Sequence, residues 1–278
     1  MKFAFSSNAF LRSSLLEAIR IVSSIGYQGI EIMADVPHAF PTSLSESDII
    51  SIRRETGKSG IEISNINAFM HHADGDTYHP SWIEKDADLR RKRLDYTLRC
   101  IDLAAKLGAP NISTEPGGPL EDIDRDQAID WFVQGLRSVE KQAREKQIRV
   151  LIEPEPGLLI ENSDQFLDII GRLDPDVFGI NFDIGHFYCV GEDPSALLPK
   201  LKPYIDHFHL EDIATTREHH HLMLGHGAID IPSILDSIED TGYKGFVTVE
   251  LYTYEHRAQE AALEAYDFLQ RYRSGKPS

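Results

Sequence analysis

Val150-Leu151-Ile152-Glu153, Phe178-Gly179-Ile180-Asn181-Phe182-Asp183, Ile205-Asp206-His207-Phe208-His209-Leu210-Glu211-Asp212 and Phe246-Val247-Thr248-Val249-Glu250-Leu251 are four short apolar runs, each closing on residues that bind divalent metals. β-Branched and aromatic residues dominate the start of each run, and polarity gathers where it stops, as in buried strands. The runs alternate with helix-like segments through the second half of the chain. If they are parallel neighbours in a closed barrel, their C-terminal ends meet at one mouth, where such barrels collect catalytic groups.

Extending outward, eight strand-then-helix units can be drawn. Strands are predicted near 2–6, 28–33, 61–66, 110–114, 149–154, 177–183, 204–210 and 245–251. Amphipathic helices are predicted near 13–25, 45–58, 83–107, 125–146, 163–172, 194–201, 231–241 and 256–272. Gly26, Gly108 and Gly242 follow helices, and Ser43 to Ser47 precede one, which is the expected punctuation. The count predicts an α/β fold, a single (β/α)8 TIM barrel over 1–273, with 274–278 as a frayed tail. The 278 residues, 41% hydrophobic, suit one such domain.

Composition limits the partners. A formal net charge of −17 disfavours nucleic acid and anionic membranes, whose phosphates draw affinity from Lys and Arg. No apolar run approaches the roughly 20 residues needed to span a bilayer, and Met1-Lys2-Phe3-Ala4-Phe5 is too short for a signal-peptide core, so a cytoplasmic protein is expected. Two cysteines, Cys100 and Cys189, form no metal pair or disulfide framework.

Glu153, Asp183, His209 and Glu250 are best explained together, because an unpaired carboxylate is costly to bury. Three carboxylates and one imidazole form a hard, oxygen-rich set that suits one Mn²⁺ or Mg²⁺ ion and tolerates Co²⁺ or Zn²⁺. Salt bridges at the barrel mouth are the simpler explanation for any one of these acids taken alone. Glu155, flanked by Pro154 and Pro156, is expected at the mouth, and His186, three residues past Asp183, is expected to meet substrate, with Gly185 permitting a tight turn. Arg217 is a candidate anchor for a substrate oxygen or phosphate. His219 to His221 form a dense donor cluster from which one or two side chains, His221 among them, reach the mouth. His71 or His72 after the third strand and Glu115 after the fourth are candidate contacts from the opposite rim. His207, deeper in its strand, reads as a hydrogen-bonded barrel histidine.

Several motifs carry a family resemblance. Ile25-Gly26-Tyr27-Gln28-Gly29-Ile30-Glu31-Ile32, Phe182-Asp183-Ile184-Gly185-His186, Gly191-Glu192-Asp193-Pro194, His207-Phe208-His209-Leu210-Glu211-Asp212 and Leu224-Gly225-His226-Gly227-Ala228-Ile229-Asp230, the last leading to Gly242-Tyr243-Lys244-Gly245-Phe246-Val247-Thr248-Val249-Glu250, occur in order. Over nearly its whole length the chain resembles the sugar phosphate isomerase/epimerase group of xylose isomerase-like TIM barrels, which also includes inosose dehydratase and endonuclease four. The resemblance implies that Glu153, Asp183, His209 and Glu250 hold the ion, that Glu153 and Glu250 form the acid/base pair, and that His186 and Arg217 hold substrate oxygens. It implies proton transfer through an enediolate of a small polyhydroxy ketone, phosphorylated or not, as epimerisation or aldose–ketose isomerisation. Members are often homo-oligomers. Epimerases of the group place a further glutamate shortly after the first metal ligand, where this chain has Gly157-Leu158-Leu159-Ile160 and offers only Glu155. The endonuclease pattern needs three zinc ions and an Asp-x-His that is absent here. A dehydratase of a keto-cyclitol or dehydroshikimate-like acid is the alternative, ahead of a nuclease or a non-catalytic binding barrel.

Overall fold

The computed structural model describes residues 1–70, 72–74 and 78–275. Eight parallel strands follow one another around a closed barrel in chain order: β1 (Lys2–Ser6), β2 (Gly29–Met33), β3 (Glu62–Asn67), β4 (Asn111–Thr114), β5 (Arg149–Ile152), β6 (Phe178–Asp183), β7 (Ile205–Leu210) and β8 (Phe246–Val249). Among the described residues nine α-helices surround it: α1 (Leu15–Ile25), α2 (Glu46–Ser59), α3 (Ala87–Leu107), α4 (Arg125–Lys146), α5 (Ser163–Ile170), α6 (Ile184–Cys189), α7 (Pro194–Leu201), α8 (Ile231–Asp240) and α9 (Ala258–Ser274). The predicted (β/α)8 barrel is therefore the observed fold. None of the described helices is long and apolar enough to cross a membrane.

Local chemistry sets the helix ends. Ser14, Asp86, Asp124 and Asn162 accept first-turn N–H bonds at the starts of α1, α3, α4 and α5. Ser45 and Asp48 form a reciprocal capping box on α2. The sequence reading missed α6, which begins immediately after β6 because Asp183 itself caps it, its side chain accepting the backbone N–H of His186 at 2.7 Å. A six-residue helix offers too short a period to be seen in sequence. The C-terminal tail also begins later than predicted, since α9 includes Ser274; residues 276–278 lie outside the described set.

Alternation along each strand divides the barrel into two cores. Ile30 and Ile32, fully buried, belong to the apolar layer that also contains Ala18, Ile19 and Val22 of α1. Between them Glu31 takes the opposite face, where Asn65, Asn111, Ser113, His207 and His209 are also buried. The barrel interior is thus polar along its axis, and each of these groups needs a partner.

Another buried polar contact ties the β3–α3 connection to the barrel. Arg93 of α3, fully buried, donates to the carbonyls of Pro80 (2.8 Å), Phe69 (3.2 Å) and Ala68 (3.3 Å) and lies 3.5 Å from Glu115. Replacing Arg93 with Met strands those acceptors, so urea unfolding is expected to show a loss of about 3–5 kcal/mol; a loss below about 1 kcal/mol contradicts this account. Burial pushes the Glu115 carboxyl up to about 7 despite Arg93. The folded state then holds a proton that the unfolded chain has released, so this contribution is present below about pH 4 and lost as pH rises through 7. Glu115→Gln should remove it, and between pH 5 and pH 8 the variant should gain on the parent by on the order of 2–3 kcal/mol. Parallel pH profiles for the two proteins would contradict the assignment.

Candidate metal centre and active-site cavity

The four strand-end residues converge at the C-terminal mouth. Asp183 and His209 are direct neighbours in the β6–β7 register, which a bulge between Ile180 and Asn181 shifts into place. Glu153 and Glu250 stand one residue beyond β5 and β8 but continue the ladder, donating their N–H groups to Thr114 and Leu210 at 3.2 and 3.1 Å. All four are buried, and one ligand atom from each lies within 4.8 Å of the others. His209 Nδ1 is central, 2.8 Å from Glu153 Oε1, 3.5 Å from Glu250 Oε2 and 3.7 Å from Asp183 Oδ2.

Amide side chains aim the two glutamates. Asn181 Nδ2 donates to Glu153 Oε2 (2.7 Å). Asn8 and Asn67 donate to Glu250 Oε1 at 2.8 and 3.4 Å, leaving Oε2 to face His209. Burial pushes the carboxyls of Glu153 and Glu250 up; repulsion from Asp183 and Glu31 adds to this, and His209 pulls back. Burial opposes charge on His209 as well, yet Glu153, Glu250 and Glu31 outweigh it and hold the imidazole well above its usual range. The cluster is short of positive charge, and Asp183 Oδ2 is buried without a hydrogen-bond partner. A divalent cation fits that deficit, and three carboxylates with one imidazole are donors suited to it.

Above the cluster opens a cavity of about 450 Å³. Its polar lining includes Glu153, Glu155, His186, His221 and Glu250, with His72 on the opposite wall, and its apolar lining includes Leu11, Met33, Phe69 and Tyr252. Tyr78 lines it too and donates to Glu155 Oε1 at 3.0 Å, while Glu155 Oε2 is buried without a partner. Burial, reinforced by Glu153, raises the Glu155 carboxyl well above its usual range. His186 donates from Nδ1 to the Pro154 carbonyl (2.9 Å), and His221 from Nδ1 to the Glu250 carbonyl (3.0 Å). Their Nε2 atoms are left as acceptors, that of His186 meeting His219 Nε2 at 2.9 Å. Burial pushes all three imidazoles down, His219 to about 4, which keeps them neutral at pH 7.

The loop after β7 that carries His219 and His221 is folded over Asp212. Its carboxylate accepts the N–H groups of Ile213 (2.9 Å), Gly225 (3.0 Å), Gly227 (2.8 Å) and Ile229 (3.0 Å), and its backbone pairs with Leu222. This closure brings His219 and His221 back to the mouth and turns Arg217 away. Arg217 donates to the Tyr188 carbonyl at 2.5 Å, covers the Tyr188 ring and lines a separate crevice with Glu192 and Asp230.

Two expectations therefore meet a different geometry. Arg217 lies outside the cavity because Tyr188 holds it, and Glu115 lies behind the wall because Arg93 holds it. His71 is outside the described residues. Gly185 makes no left-handed turn; it is required because a Cβ there would stand 2.0 Å from Glu211 Oε1. The sequence reading passed over Glu31, Asn8, Asn67 and Asn181. Only Glu31 carried a signal, an acid enclosed by apolar strand residues like the four that were selected.

Comparison with known proteins agrees with this architecture. The family described as xylose isomerase-like TIM barrel matches residues 19–272. Fructoselysine 3-epimerase of Shigella flexneri is 25% identical over 285 residues, spanning 100% of this chain and 99% of the relative. Inosose dehydratase of Lacticaseibacillus casei is 28% identical over 141 residues, 45% of this chain and 47% of the relative. The crystal structure of a D-tagatose 3-epimerase-like protein superposes with a TM-score of 0.83 at 21% identity, covering 99% of this chain and 97% of that one. With a family match over almost its entire length and the closed eight-stranded barrel in place, the chain belongs to the xylose isomerase-like TIM barrel family.

Proposed function

We propose that this protein is a divalent-metal-dependent epimerase or isomerase of a small polyhydroxy ketone that carries no phosphate. The observation that carries it is the pair of glutamates meeting His209 Nδ1, Glu153 at 2.8 Å and Glu250 at 3.5 Å, at the floor of a cavity of sugar size. The ion, held by Glu153, Asp183, His209 and Glu250, would supply Lewis acidity toward adjacent carbonyl and hydroxyl oxygens. Manganese or magnesium suits the oxygen-rich set, and cobalt or zinc would be tolerated.

The protein's own groups divide the proton work. Glu250 Oε2, with its other oxygen held by Asn8 and Asn67, takes the proton from the carbon next to the carbonyl. Glu153, braced by Asn181, returns a proton from the other side, which inverts the centre. Burial raises both carboxyls, which makes them stronger bases toward the substrate proton. His221 offers a free Nε2 acceptor to a substrate hydroxyl, His186 can offer its own only by exchanging His219 for substrate, and Glu155 and His72 complete the polar lining.

Absence of phosphate follows from charge. Among the described residues lining the cavity there is no Lys or Arg, while Glu153, Glu155, Glu250 and Glu255 all contribute. Arg12 pairs with Glu255 at 3.1 Å. The described lining would give a phosphate dianion no Lys or Arg to pair with. Similarity to a fructoselysine epimerase agrees with a ketose lacking that group. A dehydration reading has one specific support. Burial favours the protonated form of the Glu155 carboxyl beside Tyr78, a form that could donate to a leaving hydroxyl, and an inosose dehydratase is among the relatives.

Incubation of the metal-loaded protein with ketoses, inososes and their phosphates in D₂O is expected to place deuterium on carbon in an unphosphorylated compound. The phosphorylated counterpart should react at least about tenfold more slowly. A product lighter by one water identifies the dehydratase, and exchange confined to phosphates overturns the charge argument. Glu153→Gln and Glu250→Gln should each reduce epimerisation by about 10²- to 10⁴-fold. Each should still exchange the proton of the one epimer that its remaining glutamate faces. Equal retention of epimerisation in both variants rules out the two-base scheme.

A further inference from the structure

Beneath the metal centre, on the second strand, stands a carboxylate that the proposed mechanism does not use. Glu31 is fully buried and lines no part of the cavity. Its Oε2 lies 2.7 Å from His209 Nε2 and accepts Asn65 Nδ2 at 2.8 Å; its Oε1 accepts Ser6 Oγ at 2.7 Å. His207 Nε2 is 3.5 Å away. The strand register builds this arrangement: Ser6 and Asn65 are the residues paired with Glu31 on β1 and β3, the second pairing set by a bulge between Ile30 and Glu31. Asn65 is itself fixed, accepting from Asn111 at 2.6 Å and donating to Ser113 at 2.9 Å. A carboxylate so placed is costly unless fully partnered, and it is partnered on both oxygens.

The two nitrogens of His209 face different worlds. Nδ1 looks up at Glu153, Glu250 and Asp183, and Nε2 looks down at Glu31. We propose that Glu31 is the positioning residue of the metal centre: by accepting a hydrogen bond from the Nε2–H of His209 it holds the imidazole as the tautomer whose Nδ1 lone pair faces Glu153, Asp183 and Glu250, where a cation would be held. The carboxylate also makes that imidazole a stronger donor, as hydrogen-bonded carboxylates do behind metal-bound histidines. This rests on His209 being a ligand, and the test separates the two claims.

Four variants and one spectrum decide it. In Glu31→Gln the amide oxygen can replace Oε2 and the amide NH₂ can donate to Ser6 Oγ, so folding is preserved while the charge is lost. In Glu31→Ala the acceptor is gone. Competition with a chromophoric chelator for Zn²⁺ is expected to show affinity weakened about tenfold in Glu31→Gln and about a hundredfold in Glu31→Ala. His207→Gln, which alters the more distant neighbour of the same carboxylate, should remain within about twofold of the parent. In nitrogen-15 NMR of the zinc-loaded parent, His209 should show a protected Nε2–H that disappears in Glu31→Ala. Unchanged zinc affinity in both Glu31 variants, with the Nε2–H signal persisting in Glu31→Ala, overturns the positioning role. Unchanged affinity in His209→Ala instead removes His209 from the ligand set, which is failure of the functional proposal.

Discussion

Buried negative charge at the barrel mouth is the constraint on which the rest of this structure depends. Glu153, Asp183 and Glu250 crowd one imidazole nitrogen, with Glu31 behind it, and all of them are buried at the floor of the cavity or beneath it. One imidazole does not balance four carboxyl groups. A cation would relieve that repulsion, and the surrounding protein can be understood as the apparatus that keeps these groups together in spite of it. The strand ladder fixes the backbone of each proposed ligand, and amides from Asn8, Asn67 and Asn181 take one oxygen of each glutamate out of play.

The same economy links fold to site. Asp183 is both a strand end and the cap of α6, so the helix that presents His186 starts from the proposed ligand itself. Asp212 gathers four backbone N–H groups and closes the β7–α8 loop, which returns His219 and His221 to the cavity. Arg93 does similar work for the connection after β3, holding three of its carbonyls. Loops with little regular structure are thereby fixed from beneath by single charged side chains, and among the described residues the cavity they enclose is lined with carboxylates, imidazoles and rings rather than Lys or Arg.

The barrel and its four strand-end residues were legible in the sequence because both follow from short-range rules. Apolar strands alternating with amphipathic helices imply the fold, and an acid or histidine ending such a strand has few explanations other than a shared site. Glu31 obeyed the same rule but sat mid-strand, where it read as part of a motif. Arg217 and Glu115 were misjudged in placement because their positions depend on partners distant in sequence, the Tyr188 carbonyl and Arg93. Asn8, Asn67 and Asn181 left no signal, since an asparagine near a strand end is also ordinary turn chemistry. What local pattern could not supply was which loop folds back over the mouth; that is decided by Asp212 and by the packing of Glu211 against Gly185.

The central claim is that this cluster is completed by one divalent cation. Its most direct test is thermal unfolding of metal-stripped protein titrated with Mn²⁺, with bound metal counted on the same samples. The account predicts a saturable rise in Tm that follows the binding relation for a ligand of the folded state, about one ion per chain at saturation, and loss of both in Asp183→Asn. A parent protein whose Tm is indifferent to Mn²⁺ and that retains no ion, or an Asp183→Asn variant that binds as the parent does, would contradict it.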